Sequence, residues 1–162
     1  FGSTEFGTGN FNPMLVRWSD QENYDNWTPS ISSTAGEVVL TGGTEIVGSV
    51  RSRNGIHIWT DDAMFVQSFV GPPFIFNFQN VGTNCGLIGP HAAIDVDGVS
   101  YWMGNNNFYA FDGRVRELDC TVRRYLFDSF NMVNKDKVYA LRSLDVTSAI
   151  FLFLFSKITL SI

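Results

Sequence analysis

The chain of 162 residues is 44% hydrophobic and 17% charged, enough to bury a sizeable core and too apolar for a disordered segment. The net charge is −5; residues 1–100 hold ten acids against three bases, or −7, with the remainder at +2, and no basic stripe of the nucleic-acid-binding kind occurs. Two cysteines, Cys85 and Cys120, do not make a disulfide scaffold or a zinc ribbon, so two buried free thiols are expected, with a Cys85–Cys120 bridge as the alternative.

In chain order, "GTGN" (7–10) is glycine-rich but lacks the lysine and following helix of a phosphate-binding loop, as does "TGGT" (41–44). Short β-branched and aromatic runs then recur: "MLVRW" (14–18), "EVVL" (37–40), "IHIWT" (56–60), "AMFVQSF" (63–69), "AAIDV" (92–96), "VSYWM" (99–103), "NFYAF" (107–111) and "KVYAL" (137–141). Turn formers separate them, and the Asn-Gly of 54–55 and the Asp-Gly of 97–98 and 112–113 predict type I′ hairpins, in which both central residues take positive φ. "NWT" (26–28) has the form of a glycosylation sequon; Trp27 is expected to pack and "TPS" to turn the chain. One short helix is predicted near 121–130, capped by Thr121, with Val122, Tyr125, Leu126 and Phe130 on one face. "AIFLFLF" (149–155) is far shorter than the ~20 residues of a membrane helix and reads as a buried strand. The chain opens at Phe1 without a signal-like segment and closes on "SKITLSI", so a fragment of a longer protein is expected.

A repeat underlies this pattern. "NGIHIWTDDAMFV" (54–66) laid over "DGVSYWMGNNNFY" (97–109) matches Gly55 with Gly98, Trp59 with Trp102 and Phe65 with Phe108, each 43 apart, and Trp18 precedes Trp59 by 41. Four-stranded propeller blades repeat at about 40–45 residues. The expectation is an all-β, mainly antiparallel fold: a partial β-propeller of about three blade-like units over residues 1–142, with a strand-like tail over 143–162.

Three stretches, "RWSDQENYDNWTPS" (17–30), "IVGSVRSRNGIHIWTDDAMFVQSFVGPP" (46–73) and "NCGLIGPHAAIDVDGVSYWMGNNNFYAFDGRVRELD" (84–119), carry a resemblance. Their order, W-S-D then W-T-P, a strand ending W-T-D, and G-x-I-G-P leading into G-φ-x-φ-W-φ-G-x-x-x-F, is similar to the β-propeller portion of bacteriophage tail nozzle proteins, the tail tubular protein B and DNA-stabilization type. The resemblance spans roughly residues 5–140; the part from about Ser143 fits poorly. It implies a virion protein, made in the host cytoplasm, that forms a homo-oligomeric, hexameric ring with the adaptor and portal complex. Such a ring retains DNA and then passes it as non-specific cargo, without catalysis, cofactor or membrane span. The alternative is a propeller module that binds carbohydrate or protein, and a third reading is a propeller enzyme with its catalytic residues elsewhere.

Candidate sites are few. "DVDG" (95–98) opens like a calcium loop, but position 12 is Asn106 rather than Glu, and a strand intervenes, so a hairpin is expected. Asn105, Asn106 and Asn107 beside Trp102 and Tyr109 would suit a sugar, yet "TDDA" fills the same slot in the preceding unit, so Asp97 and the three asparagines are read as turn residues. His57 and His91 lack a metal-ligand pattern, and no G-x-S-x-G accompanies them. Arg114, Arg116, Arg123 and Arg124 form a basic group suited to a subunit boundary or a solvated rim.

Overall fold

The computed structural model describes residues 1–121, 123–142 and, as backbone, 151–155. A small hairpin of β1 (Ser3–Thr4) and β2 (Phe11–Asn12) leads into β3 (Leu15–Trp18), which pairs with β4 (Gly36–Val39). Four strands follow as a meander: β5 (Ile46–Ser52), β6 (Gly55–Thr60), β7 (Met64–Gly71) and β8 (Ile75–Gly82), hydrogen-bonded in that order. A second meander repeats the arrangement with β9 (Ala93–Val96), β10 (Val99–Met103), β11 (Phe108–Phe111) and β12 (Val115–Leu118). The helix α1 (Arg123–Asp128), a 3-10 stretch (Met132–Lys137), β13 (Val138–Arg142) and β14 (Phe151–Phe155) complete the described chain. Every strand pair is antiparallel, so the mainly antiparallel all-β class is observed. No helix among the described residues is long and apolar enough to cross a membrane.

Each of the eight expected runs contains a strand, whereas β1, β2, β5, β8 and β12 lie outside them. Turn chemistry is as expected at one hairpin: Asp97 (φ 56°) and Gly98 (φ 90°) both sit left-handed, as a type I′ tip demands. It differs at two others. The β5–β6 tip is Arg53-Asn54, because Ser52 pairs with Gly55, and Gly55 (φ 145°) lies where a Cβ would run into the Gln67 carbonyl. The β11–β12 link has three residues, Asp112 to Arg114, since Phe111 pairs with Val115.

The two meanders stack face to face. Alternation along β6 sends His57 and Trp59 towards the second meander and Ile56 and Ile58 towards β3 and β4. One core gathers Trp59, Met64, Trp102, Tyr109 and Phe111 between the meanders; the other gathers Met14, Val16, Leu40, Ile58 and Phe65 behind the first. Trp59 and Trp102 are both 0% exposed. Burial of about 200 Å² by each, at ~25 cal/mol per Å², is worth on the order of 5 kcal/mol per ring before chain entropy is charged.

The helix is shorter than expected and turned differently. Tyr125 is 67% exposed, while Leu126, Phe127 and Phe130 pack on the core; Val122 lies outside the described residues. Phe127 meets Phe108 with ring centroids 5.6 Å apart. In a helix this short, the face is chosen by the sheet beneath it rather than by its own periodicity. The expected buried strand 149–155 is a strand over Phe151–Phe155, paired with β13; the burial of its side chains lies outside the described residues, as does the rest of the 143–162 tail.

Candidate functional site at the junction of the meanders

The hairpins, rather than the tryptophans, keep step. The tips Arg53-Asn54 and Asp97-Gly98 are 44 residues apart, and so are Asp61-Asp62 and Asn105-Asn106. The Gly, Trp and Phe matches are 43 apart, one residue out of that frame, and in a strand one residue reverses the face. Trp59 therefore looks forward to β10 and Trp102 looks back to β6, and the two rings meet at 5.4 Å. Phe65 likewise turns back to Met14 and Leu40, whereas Phe108 turns forward to α1. Trp18 looks forward, stacking on Phe78 at 5.9 Å and edge-on to Phe76 at 5.4 Å. The Trp102 indole donates from Nε1 to the Cys85 carbonyl at 2.8 Å; the buried Nε1 of Trp59 has no acceptor among the described residues.

A polar chain crosses this apolar seam. The Ser100 hydroxyl donates to Asp95 Oδ2 at 3.0 Å, so the contact of 2.7 Å between His57 Nδ1 and Ser100 Oγ requires Nδ1 to carry the proton. The His57 ring stands edge-on to Phe111 at 5.1 Å. Burial pushes its pKa below the usual histidine value, and the charge of Asp95 only partly opposes this. The residue types are those of a serine hydrolase, but the order is not. A triad puts the acid on the imidazole; here serine stands between acid and imidazole. Ser100 is also 0% exposed, so no substrate carbonyl reaches its oxygen. The arrangement aligns the two sheets: a directional link within a packing layer that has no direction of its own.

At the rim, the tips Asp61-Asp62 and Asn105-Asn106 are brought together with Asn84 and Tyr109 around a cavity of about 140 Å³. Asn105 Nδ2 reaches the Asp61 carbonyl at 3.5 Å. Burial raises the Asp61 pKa, but hydrogen bonds from Thr44 and Glu45 outweigh it and hold the group low. Asn107 closes the same turn, its carbonyl accepting from Gly104 N at 2.9 Å, but its side chain is only 5% exposed and donates to Glu117 Oε2 at 2.6 Å. Trp102 is sealed and Tyr109 only 8% exposed, its hydroxyl donating to the Asn84 carbonyl, so neither offers a ring face to a sugar. Asp97 turns away to Arg142 at 3.6 Å, and no three His, Cys, Asp or Glu side chains gather as a metal site among the described residues.

The four arginines do not act as one group. Arg116 pairs with Asp112, Arg123 borders a second rim cavity with Asn107 and Glu117, and Arg114 and Arg124 are exposed. His91 stacks parallel on Tyr139 at 4.9 Å. Both thiols are free, but only Cys85 is buried, and that burial pushes its pKa up to about 11; Cys120 is half-buried, beside the Arg123 cavity.

Asp20 is a structural centre that the sequence reading passes over. Its carboxylate accepts from Thr34 Oγ1 at 2.6 Å, Thr34 N at 2.8 Å, Gln21 N at 2.9 Å and Asn26 Nδ2 at 3.2 Å, holding the long β3–β4 loop. The Thr34 hydroxyl is the largest cause that draws its pKa down to about 2. Within that loop Trp27 is 45% exposed rather than packed. The signal is present in "WSD…NWT", where an acid and an amide flank a loop. Compared with known proteins, the sequence matches no family model and no curated protein.

Proposed function

We propose that the chain is a segment of a β-propeller virion protein with a scaffolding role, a ring-forming component of a phage tail that retains genomic DNA and then lets it pass. The observation that carries the reading is the pair of successive four-stranded meanders, stacked face to face with hairpin tips 44 residues apart, the spacing of propeller blades. The motif order of the tail nozzle family supports it at the level of sequence. The function is mechanical on this reading: the buried Asp95–Ser100–His57 link and the Trp59–Trp102 contact stiffen the junction between blades. An acidic first hundred residues suits a wall that DNA must slide along without adhering. The carbohydrate-binding alternative draws less support, because the polar rim lacks an exposed aromatic platform beside Asn105 and Asn106 among the described residues. The test is electron microscopy and mass photometry of the full reading frame. A ring with a central opening is expected, and a protein that stays monomeric throughout the micromolar range overturns the proposal.

A further inference from the structure

The β7–β8 hairpin outruns its sheet. β6 pairs with β7 only as far as Gln67, while β7 and β8 continue to pair through Phe69–Phe76 and Gly71–Ile75. The free tip carries Phe69, Val70 and Phe74 at 70%, 54% and 77% exposure. Across from it, the loop 29–35 presents Ile31, fully exposed, and between tip and loop lies a groove of about 810 Å³ with Trp18, Pro72 and Ile75 in its walls. The exposed parts of Ile31, Phe69, Val70 and Phe74 come to roughly 600 Å² when a large side chain is taken as about 200 Å². This lies near the top of the ~300–600 Å² of a monomer's largest patch. The groove walls extend it towards the ~800 Å² per partner of a stable interface.

We infer that this face is a two-fold contact between copies of this chain, the hairpin tip of each seated in the groove of the other. Two features single out a second copy. A knob and a hole side by side are self-complementary under a two-fold rotation, so a single patch satisfies both partners. The hairpin tip and the groove lining are also uncharged: residues 63–90 and 26–36 contain no Asp, Glu, Lys, Arg or His, and the one carboxylate bound to the groove wall, Asp20 on Thr34, would face the charge-free tip of the partner copy. Two chains of net charge −5 can meet there without placing like charges opposite one another. The contact closes on itself, whereas contacts in a ring run head to tail, so it neither rests on the tail reading nor falls with it.

The experiment is sedimentation velocity on the full protein and on two variants, Ile31→Asp and Phe74→Lys. Both side chains are exposed, so unchanged circular dichroism and melting temperature serve as the folding control. Each variant alone should weaken self-association by roughly tenfold or more, as loss of an interface anchor does. Mixed in equal amounts, the two should recover a heterodimer. The carboxylate introduced in one copy then faces the ammonium introduced in the other, while the second Ile31–Phe74 contact stays intact. A wild-type protein that shows no two-fold association, variants that associate as wild type, or a mixture that fails to recover each overturns the inference. A partner other than a second copy would appear as the first of these outcomes.

Discussion

Replacing Ser100 with alanine removes one oxygen and leaves two groups stranded. His57 Nδ1–H, on a ring 2% exposed, loses its acceptor at 2.7 Å, and Asp95 Oδ2 loses a donor at 3.0 Å. An orphaned buried donor costs about 1–3 kcal/mol, and a hydrogen bond to a charged group contributes about 1.5–3 kcal/mol. Asp95 is half-buried and regains some water, so the net loss should be on the order of 3 kcal/mol. For a chain of this size that is roughly 6–12 °C in melting temperature. Urea and thermal unfolding of Ser100→Ala measure it, with Ser129→Ala as control, because the Ser129 hydroxyl is exposed and bonds only within its own helix end. A double-mutant cycle with His57→Phe, which keeps the aromatic contact to Phe111, should return a coupling of about 1 kcal/mol. A Ser100→Ala loss no larger than the ~0.5 kcal/mol typical of surface changes would refute the idea that the polar chain fastens the sheets.

The same histidine sets a pH dependence. Its folded pKa lies below the 6.5 of the free side chain, so below that pH the unfolded chain binds more protons than the folded one. Stability should therefore be full above pH 6.5 and fall as pH drops beneath it, and His57→Phe should flatten the slope measured by denaturant titration between about pH 7 and 5. The two facing indoles should respond unequally: Trp102→Phe loses the bond to the Cys85 carbonyl, whereas Trp59→Phe removes an N–H without an acceptor among the described residues. With similar cavities, Trp59→Phe should cost about 1 kcal/mol less than Trp102→Phe in chemical denaturation.

Element type was legible where residues were apolar and β-branched, as in "IHIWT" and "VSYWM". It was not legible in β8, "IFNFQNVG", where Asn77, Gln79 and Asn80 interrupt the run because much of that edge strand faces solvent. The repeat was legible as a period but not as a frame. Strands buried on both faces carry large apolar residues in either direction, so a Trp gives no indication of which way it points, and the match at 43 concealed hairpins at 44. The polar chain was illegible for a related reason: Ser100, Asp95 and His57 are common strand and turn residues, and only stacking places a residue of the first meander against one 43 positions later. The rim was read more fully, since Asp61 and Asn105 fall in corresponding turns, and corresponding turns of adjacent repeats end side by side.

The two-residue tips also bear on how the chain acquires this structure. Closing Arg53-Asn54, Asp61-Asp62, Asp97-Gly98 and Asn105-Asn106 sacrifices little chain entropy, so the strand pairs of each meander can zip from neighbouring residues on the microsecond scale of hairpins. The Trp59–Trp102 contact and the Ser100–His57 bond span 43 residues each and gain nothing until both sheets exist. Assembly is thus ordered by sequence distance: sheets first, seam last. A seam that closes last contributes mainly to how slowly the folded chain comes apart, so the junction between the meanders weighs on the unfolding rate more than on the folding rate.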